Sequence, residues 1–279
     1  MVAMTPCKGG FDLRLAGRAV LCHRPEYPAI SLASGDPLVT MVRGNFRLSD
    51  TPVAARPLSV CEVVGEGAVV LSSADGTAKV ALNLAPDAQR LTMTALTGHD
   101  RITLDFTLSP DDVLWGGGEQ MSYLALNGRT FPIWTSEPGV GREPGTALTD
   151  QASADGSFAG GDYWTTNYPE PTVLCSGGWA MSLANAEYVE LDASEAGRLR
   201  VHVWSGEVTI DLFEGAPADL TRQLGARFGP RQALPEWAWE EGICRFGFHG
   251  RLLRRHGRLR GGLLGLRLGL RLRLRLRLR

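Results

Sequence analysis

The sequence predicts a mainly β protein built as an antiparallel sandwich. Short runs rich in β-branched and aromatic residues recur from Phe11 to about Thr107 and resume after Thr172. Gly, Asp and Pro turn signals separate them, and no helical periodicity stands out before residue 215. A chain of 279 residues can hold one large all-β domain or two ordinary ones, with a real core in either case.

Phe11–Leu15 alternates with period two, and Arg18–Cys22 can pair with it across Ala16-Gly17. Further strands are expected at Leu38–Phe46, Leu58–Val64, Ala68–Ser72, Ala78–Leu84, Leu91–Leu96 and Arg101–Leu108. Gly65-Glu66-Gly67, Asp75-Gly76, Pro86-Asp87 and Gly98 punctuate these runs. The alternation in Lys79–Leu84 implies one buried and one solvated face. After the central stretch the pattern continues at Thr172–Cys175, Trp179–Leu183, Tyr188–Leu191, Leu199–Trp204 and Val208–Phe213. Then the period changes. Pro217 and Asp219 suit a first helical turn, Leu220, Leu224 and Phe228 recur every four residues, and Gly229-Pro230 ends the element. Residues 1–229 therefore read as one β domain with a terminal helix. Residues 230–249 read as a linker and one apolar strand, Pro235–Gly247.

Charge divides the chain differently. Eleven of the 29 basic residues are arginines from Arg251 onward, leaving 18 basic against 30 acidic residues over positions 1–250, a net of −12. An acidic body is ill suited to nucleic acid. Residues 250–279 hold only Arg, Leu, Gly and one His, a composition that rarely encodes a packed core. This tail can be read as a cationic amphipathic arm, a fused purification tail, or an out-of-frame translation of GC-rich coding sequence. The compositional break and the chain's 27 Arg against two Lys favour the third. The five scattered cysteines include no C-x-x-C pair, arguing against a disulfide framework or a metal site. The N-terminus lacks the apolar core of a signal peptide, and no apolar run reaches the ~18 residues of a membrane span. A cytoplasmic location without a membrane partner is expected.

Function concentrates between Trp115 and Tyr168. Three of the seven Trp lie there, in Gly-rich sequence that cannot stay in regular structure throughout. Sugars are bound by aromatic faces together with carboxylates, amides and guanidinium groups. Trp115, Trp134, Tyr163, Trp164 and Tyr168 with Glu119, Gln120, Glu137, Arg142, Asp162 and Asn167 supply that mixture. Arg142 can also hold an anionic group bidentately. Gly116-Gly117-Gly118 is no phosphate cradle, because the G-x-x-x-x-G-K-[ST] pattern is missing. The competing reading is that the aromatics fill core and the acids cap turns.

The segments Trp115–Tyr123, Phe131–Arg142 and Gly161–Pro171 resemble the N-terminal region of glycoside hydrolase family 31, most closely its bacterial sulfoquinovosidase branch. Leu234–Trp239 resembles the family's lead into its catalytic barrel. The resemblance covers residues 10–247 and is strongest from 115 to 171. It implies a galactose-mutarotase-like β-sandwich before a (β/α)8 barrel, of which this chain carries only the first strand ahead of the low-complexity tail. It also implies retaining hydrolysis of an α-glycoside by two barrel aspartates, without a cofactor or a metal. No Asp or Glu follows Glu241, so neither catalytic residue can be placed in this sequence. What carries over is a substrate-side rim of Glu119, Gln120, Glu137 and Arg142, with Tyr163 and Trp164 beside it.

Three functions follow from this reading. One is a family 31 glycosidase N-terminal fragment, inactive alone and contacting a carbohydrate such as a sulfoquinovoside. Another is a stand-alone carbohydrate-binding sandwich. The third is an aldose-epimerase-like enzyme, which ranks last because none of His23, His99, His202, His249 and His256 lies in the central stretch.

Overall fold

A computed structural model describes residues 2–229 apart from 43, 44, 86, 88, 138 and 140, together with 233 and 235. Apart from Pro235, the expected barrel strand Pro235–Gly247 and the 250–279 tail lie outside the described residues. The elements below belong to the compact unit Met1–Phe228.

In chain order the strands are β1 (Ala3–Cys7), β2 (Gly10–Leu15), β3 (Arg18–His23), β4 (Ile30–Ala33), β5 (Leu38–Val42), β6 (Asn45–Ser49) and β7 (Arg56–Pro57). Next come β8 (Val60–Gly65), β9 (Ala68–Ser72), β10 (Lys79–Ala85), β11 (Arg90–Ala95), β12 (Arg101–Thr107) and β13 (Leu114–Gly118). The last are β14 (Thr130–Ile133), β15 (Pro169–Cys175), β16 (Trp179–Leu183), β17 (Val189–Asp192), β18 (Arg198–Val203) and β19 (Glu207–Glu214). Helices α1 (Ala147–Ala152) and α2 (Pro217–Phe228) complete the set.

Turn chemistry closes the β2–β3 hairpin where the sequence places Ala16-Gly17. Both residues have positive φ, 51° and 77°, as a two-residue type I′ turn requires. Two large sheets form the body. An eight-stranded sheet runs β13-β15-β16-β19-β11-β10-β9-β8, and a six-stranded sheet runs β14-β17-β18-β12-β4-β7. Sheets β1-β2-β3 and β5-β6 are smaller, and pairing within all four is antiparallel. No closed barrel of alternating strands and helices occurs among the described residues.

The expected alternation is present. On β10, Val80, Leu82 and Leu84 are buried while Lys79, Asn83 and Ala85 face out. Residues of this kind from both large sheets join one core, which also takes in Leu13, Leu15 and Leu21 of the small β1-β2-β3 sheet. Phe106 of the six-stranded sheet stacks on Trp179 of the eight-stranded sheet, with centroids 5.9 Å apart and planes 21° apart. That contact spans the sandwich. β16 is buried at all five positions, because α2 covers its second face through Leu220 and Leu224 against Ala180 and Phe213. Arg90 and Arg227 both grip the buried carboxylate of Asp211, Arg90 at 2.6 Å, and so tie α2 to the sheet. Burial alone would raise the pKa of Asp211, but the bonds from the two guanidinium groups hold it below the usual carboxylate range.

Three expectations need correcting. Leu38–Phe46 is not one strand: β5 and β6 pair with each other from Leu38↔Ser49 to Val42↔Asn45, so the apolar run folds back on itself. A helix does precede residue 215, the six-residue α1, which is too short to show a 3.6-residue period in sequence. Phe228 leaves the buried face of α2 and is 58% exposed, lying under the Arg227 guanidinium. No helix among the described residues is long and apolar enough to cross a membrane.

Candidate functional site

The glycine run at the end of β13 is a backbone requirement. Gly116, Gly117 and Gly118 have φ of 131°, 74° and 84°, in the region that favours glycine. The β13–β15 register jumps from Gly116↔Val173 to Gly118↔Pro169, a bulge at the sheet edge. A Cβ on Gly116 would strike the Thr172 carbonyl, and one on Gly118 the Tyr168 carbonyl. Gly118→Ala is expected to cost about 2 kcal/mol in a urea titration. A loss below a few tenths would show that the bulge relaxes freely.

This bulge launches the loop that carries Glu119 and Gln120. Glu119 donates its backbone N–H to Tyr168 O at 2.9 Å and leaves its carboxylate exposed. Gln120 turns back on the bulge, its Nε2 donating to Gly117 O at 2.8 Å. Its Oε1 is buried with no partner among the described residues. Loop 135–142 runs beside loop 158–168 through a parallel bridge, Thr135↔Thr166, and through Ser136 N–H to Thr166 O at 3.0 Å. Arg142 is fixed at φ 67° by its N–H to Gly160 O, 2.8 Å, and its Nη2 lies 3.0 Å from Met121 Sδ. It therefore reaches the loop that follows Gln120. Glu137 is exposed and makes no hydrogen bond among the described residues.

Tyr163 and Trp164 sit deeper and pack against the core. The Tyr163 hydroxyl donates to Thr130 O at 2.5 Å, and its ring meets Phe131 and Tyr123 edge-on at 5.4 and 5.9 Å. Burial raises its phenol pKa. Tyr163 is thus anchored, with its hydroxyl already used. Arg129 lies over the Tyr123 ring at 3.4 Å.

Of thirteen described arginines, ten reach a carboxylate. The remaining three, Arg47, Arg129 and Arg142, rest on Phe158, Tyr123 and Met121 respectively. All three border this loop cluster. A guanidinium without a carboxylate keeps its bidentate donors for something else.

A cavity of about 570 Å³ opens between the β5–β6 hairpin and loop 144–165, lined among others by Trp134, Phe158, Trp164, Tyr188, Asp150 and Asp162. Of the six site residues expected from sequence, Trp164 alone lines it. Glu119, Gln120 and Arg142 gather instead at the neighbouring rim. Tyr188, just before β17, and the hairpin residues Phe46 and Arg47 could not be anticipated, since nothing local marks residues that meet a loop distant in sequence. Phe46 stands edge-on to Trp134 at 6.3 Å, and Trp134 in turn packs on Tyr188 at 6.3 Å. Two residues after Tyr188, burial and nearby Asp192 raise the pKa of Glu190. No cluster of three or more His, Cys, Asp or Glu able to hold a metal ion occurs among the described residues.

No family model matches the chain. It is 38% identical over 238 residues to a sulfoquinovosidase of Agrobacterium fabrum, an alignment covering 85% of this chain and 35% of that protein. A sulfoquinovosidase of Escherichia coli is 32% identical over 82% of this chain, again spanning 35% of the relative. Among solved structures, a GH31 family sulfoquinovosidase from E. rectale, in complex with an aza-sugar inhibitor, superposes with a TM-score of 0.71 at 28% identity. That match covers 84% of this chain and 35% of the other. The chain thus spans about a third of the length of the relatives it matches.

Proposed function

Since the chain is homologous to glycoside hydrolase family 31, in its sulfoquinovosidase branch, over a third of their length, we propose that it forms the N-terminal wall of an α-glycosidase site for a sulfonated glucoside. In this reading residues 1–229 are a mutarotase-like sandwich, residues 230–249 lead into a barrel, and residues 250–279 are a foreign tail. The site is cytoplasmic. The sandwich binds; the retaining chemistry belongs to two carboxyl groups ~5–5.5 Å apart on the barrel. The sandwich alone is therefore taken to hold ligand without cleaving it.

The observation that carries the reading is Arg142. Its guanidinium has no carboxylate partner among the described residues, stands beside Met121, and lies near the loop that carries Glu119 and Gln120. A sulfonate offers the geometry that such a fork accepts bidentately, and Glu119 and Glu137 offer exposed acceptors for ring hydroxyls. Calorimetric titration with methyl α-sulfoquinovoside tests this. Arg142→Ala is expected to weaken binding at least about tenfold, the worth of one charge-assisted bond. Unchanged affinity would remove Arg142 from the site. Turnover of a nitrophenyl sulfoquinovoside by the isolated chain would overturn the division between binding and chemistry.

A further inference from the structure

We propose that the cavity beneath the β5–β6 hairpin is a second carbohydrate site, separate from the rim, and that it takes a neutral pyranoside. Its volume of about 570 Å³ lies within the ~300–1,000 Å³ of small-molecule pockets. Trp134, Phe158, Trp164 and Tyr188 supply aromatic surface for the apolar C–H faces of a sugar ring. Two carboxylates supply acceptors for its hydroxyls. Asp162 receives the Tyr163 N–H at 2.7 Å and Asp150 the Gly145 N–H at 2.9 Å, each on Oδ1. Each Oδ2 makes no hydrogen bond among the described residues. The backbone therefore orients both carboxylates while one oxygen of each remains free, the preorganised state that ligand hydroxyls exploit.

The roof is the hairpin. Arg47 lies over the Phe158 ring at 4.0 Å at the cavity edge and has no carboxylate partner among the described residues. Asp50, just past β6, anchors the same segment by accepting two bonds of 3.2 Å from the buried Arg101. Charge selects the ligand. Two carboxylates against one guanidinium leave the lining net negative, so an acidic substituent on the sugar meets repulsion there. The rim, with Arg142, has the opposite preference. The two sites are thus told apart by ligand charge as well as by position.

The test titrates the full 279-residue chain, followed by tryptophan fluorescence and calorimetry, with methyl α-glucopyranoside and methyl α-glucuronopyranoside. Saturable binding of the glucoside is expected, with the glucuronide at least about fivefold weaker. Asp162→Asn retains an acceptor for the Tyr163 N–H but loses the carboxylate, and should weaken the glucoside about tenfold. Asp150→Asn provides the same test on the other carboxylate should the first variant fail to fold by circular dichroism. Absence of saturation, a tighter glucuronide, or indifference to both Asn variants would each overturn the proposal. None of these outcomes depends on whether a sulfonated glycoside binds at Arg142.

Discussion

Trp179→Ala is expected to cost about 3–5 kcal/mol of unfolding free energy, the range for removing a fully buried aromatic. Trp179 is fully buried on β16 and stacks on Phe106 across the sandwich. Its loss leaves a large hole in the middle of the only contact described between the two large sheets' aromatic rings, where neither sheet can move inward without disturbing its ladder. The indole Nε1 is buried with no hydrogen-bond partner among the described residues. Trp179→Phe therefore forfeits packing volume but no hydrogen bond, and should cost much less than the alanine change. Urea titrations of both variants at neutral pH check the pair. Equal losses would show that a phenyl ring recovers none of the packing and that the stack on Phe106 does not carry the cost. Against a typical total of about 5–15 kcal/mol, the alanine variant should lose a large share of the protein's stability and melt well below the parent.

Stability should also fall as the solution is acidified through the range where carboxylates are still ionised. His23 is fully buried at the end of β3 and stacked on Phe11, with ring centroids 5.3 Å apart. Neither ring nitrogen makes a hydrogen bond of normal geometry among the described residues, and burial, only partly offset by the Leu58 backbone, pulls its pKa from 6.5 down to about 4. The sign follows from linkage. Between pH 6.5 and 4 the unfolded chain binds the proton and the folded chain does not, so stability is full above 6.5 and declines as pH falls toward 4. The decline amounts to about 3 kcal/mol in all. His23→Phe keeps a ring against Phe11 and removes the titration. Its unfolding free energy should be level across that window, apart from carboxylate effects at the acid end. A variant that tracks the parent protein from pH 6.5 to 5 would place the acid sensitivity elsewhere.

Most strands and α2 were legible in sequence because their signals are local. Period-two alternation marks Lys79–Ala85, and Pro217 with Asp219 marks the start of α2. The β5–β6 hairpin was read as one strand, although Arg43-Gly44-Asn45 breaks the apolar pattern between Val42 and Phe46 and offers a turn signal. Helix α1 was missed because one and a half turns carry no period. At the candidate site, sequence located the loops but not their division of labour. Gln120 and Tyr163 carry the right chemistry for sugar contacts, yet their polar groups bond to the backbone at Gly117 and Thr130. Arg142 and Glu119 keep theirs available. The hairpin's contribution of Phe46 and Arg47 depends on the tertiary packing of distant segments, which no pattern within either segment encodes.

The strand order has a consequence for how the protein is made. β11 pairs not with β12 but with β19, and β12 pairs with β18. In the eight-stranded sheet, the meander β8–β11 meets β13, β15 and β16 only through β19. In the six-stranded sheet, β7, β4 and β12 meet β17 and β14 only through β18. Each sheet is therefore two half-sheets waiting for one late strand, and both late strands lie within Arg198–Glu214. Closing loops of that length is slow, and half-sheets expose the edges that promote association between chains. A ribosome that has emitted residues up to Asp192 holds both halves of each sheet and the keystone of neither. A pause or a cut before Glu214 would leave open sheet edges, and chaperone demand during synthesis should drop sharply once β19 has cleared the exit tunnel.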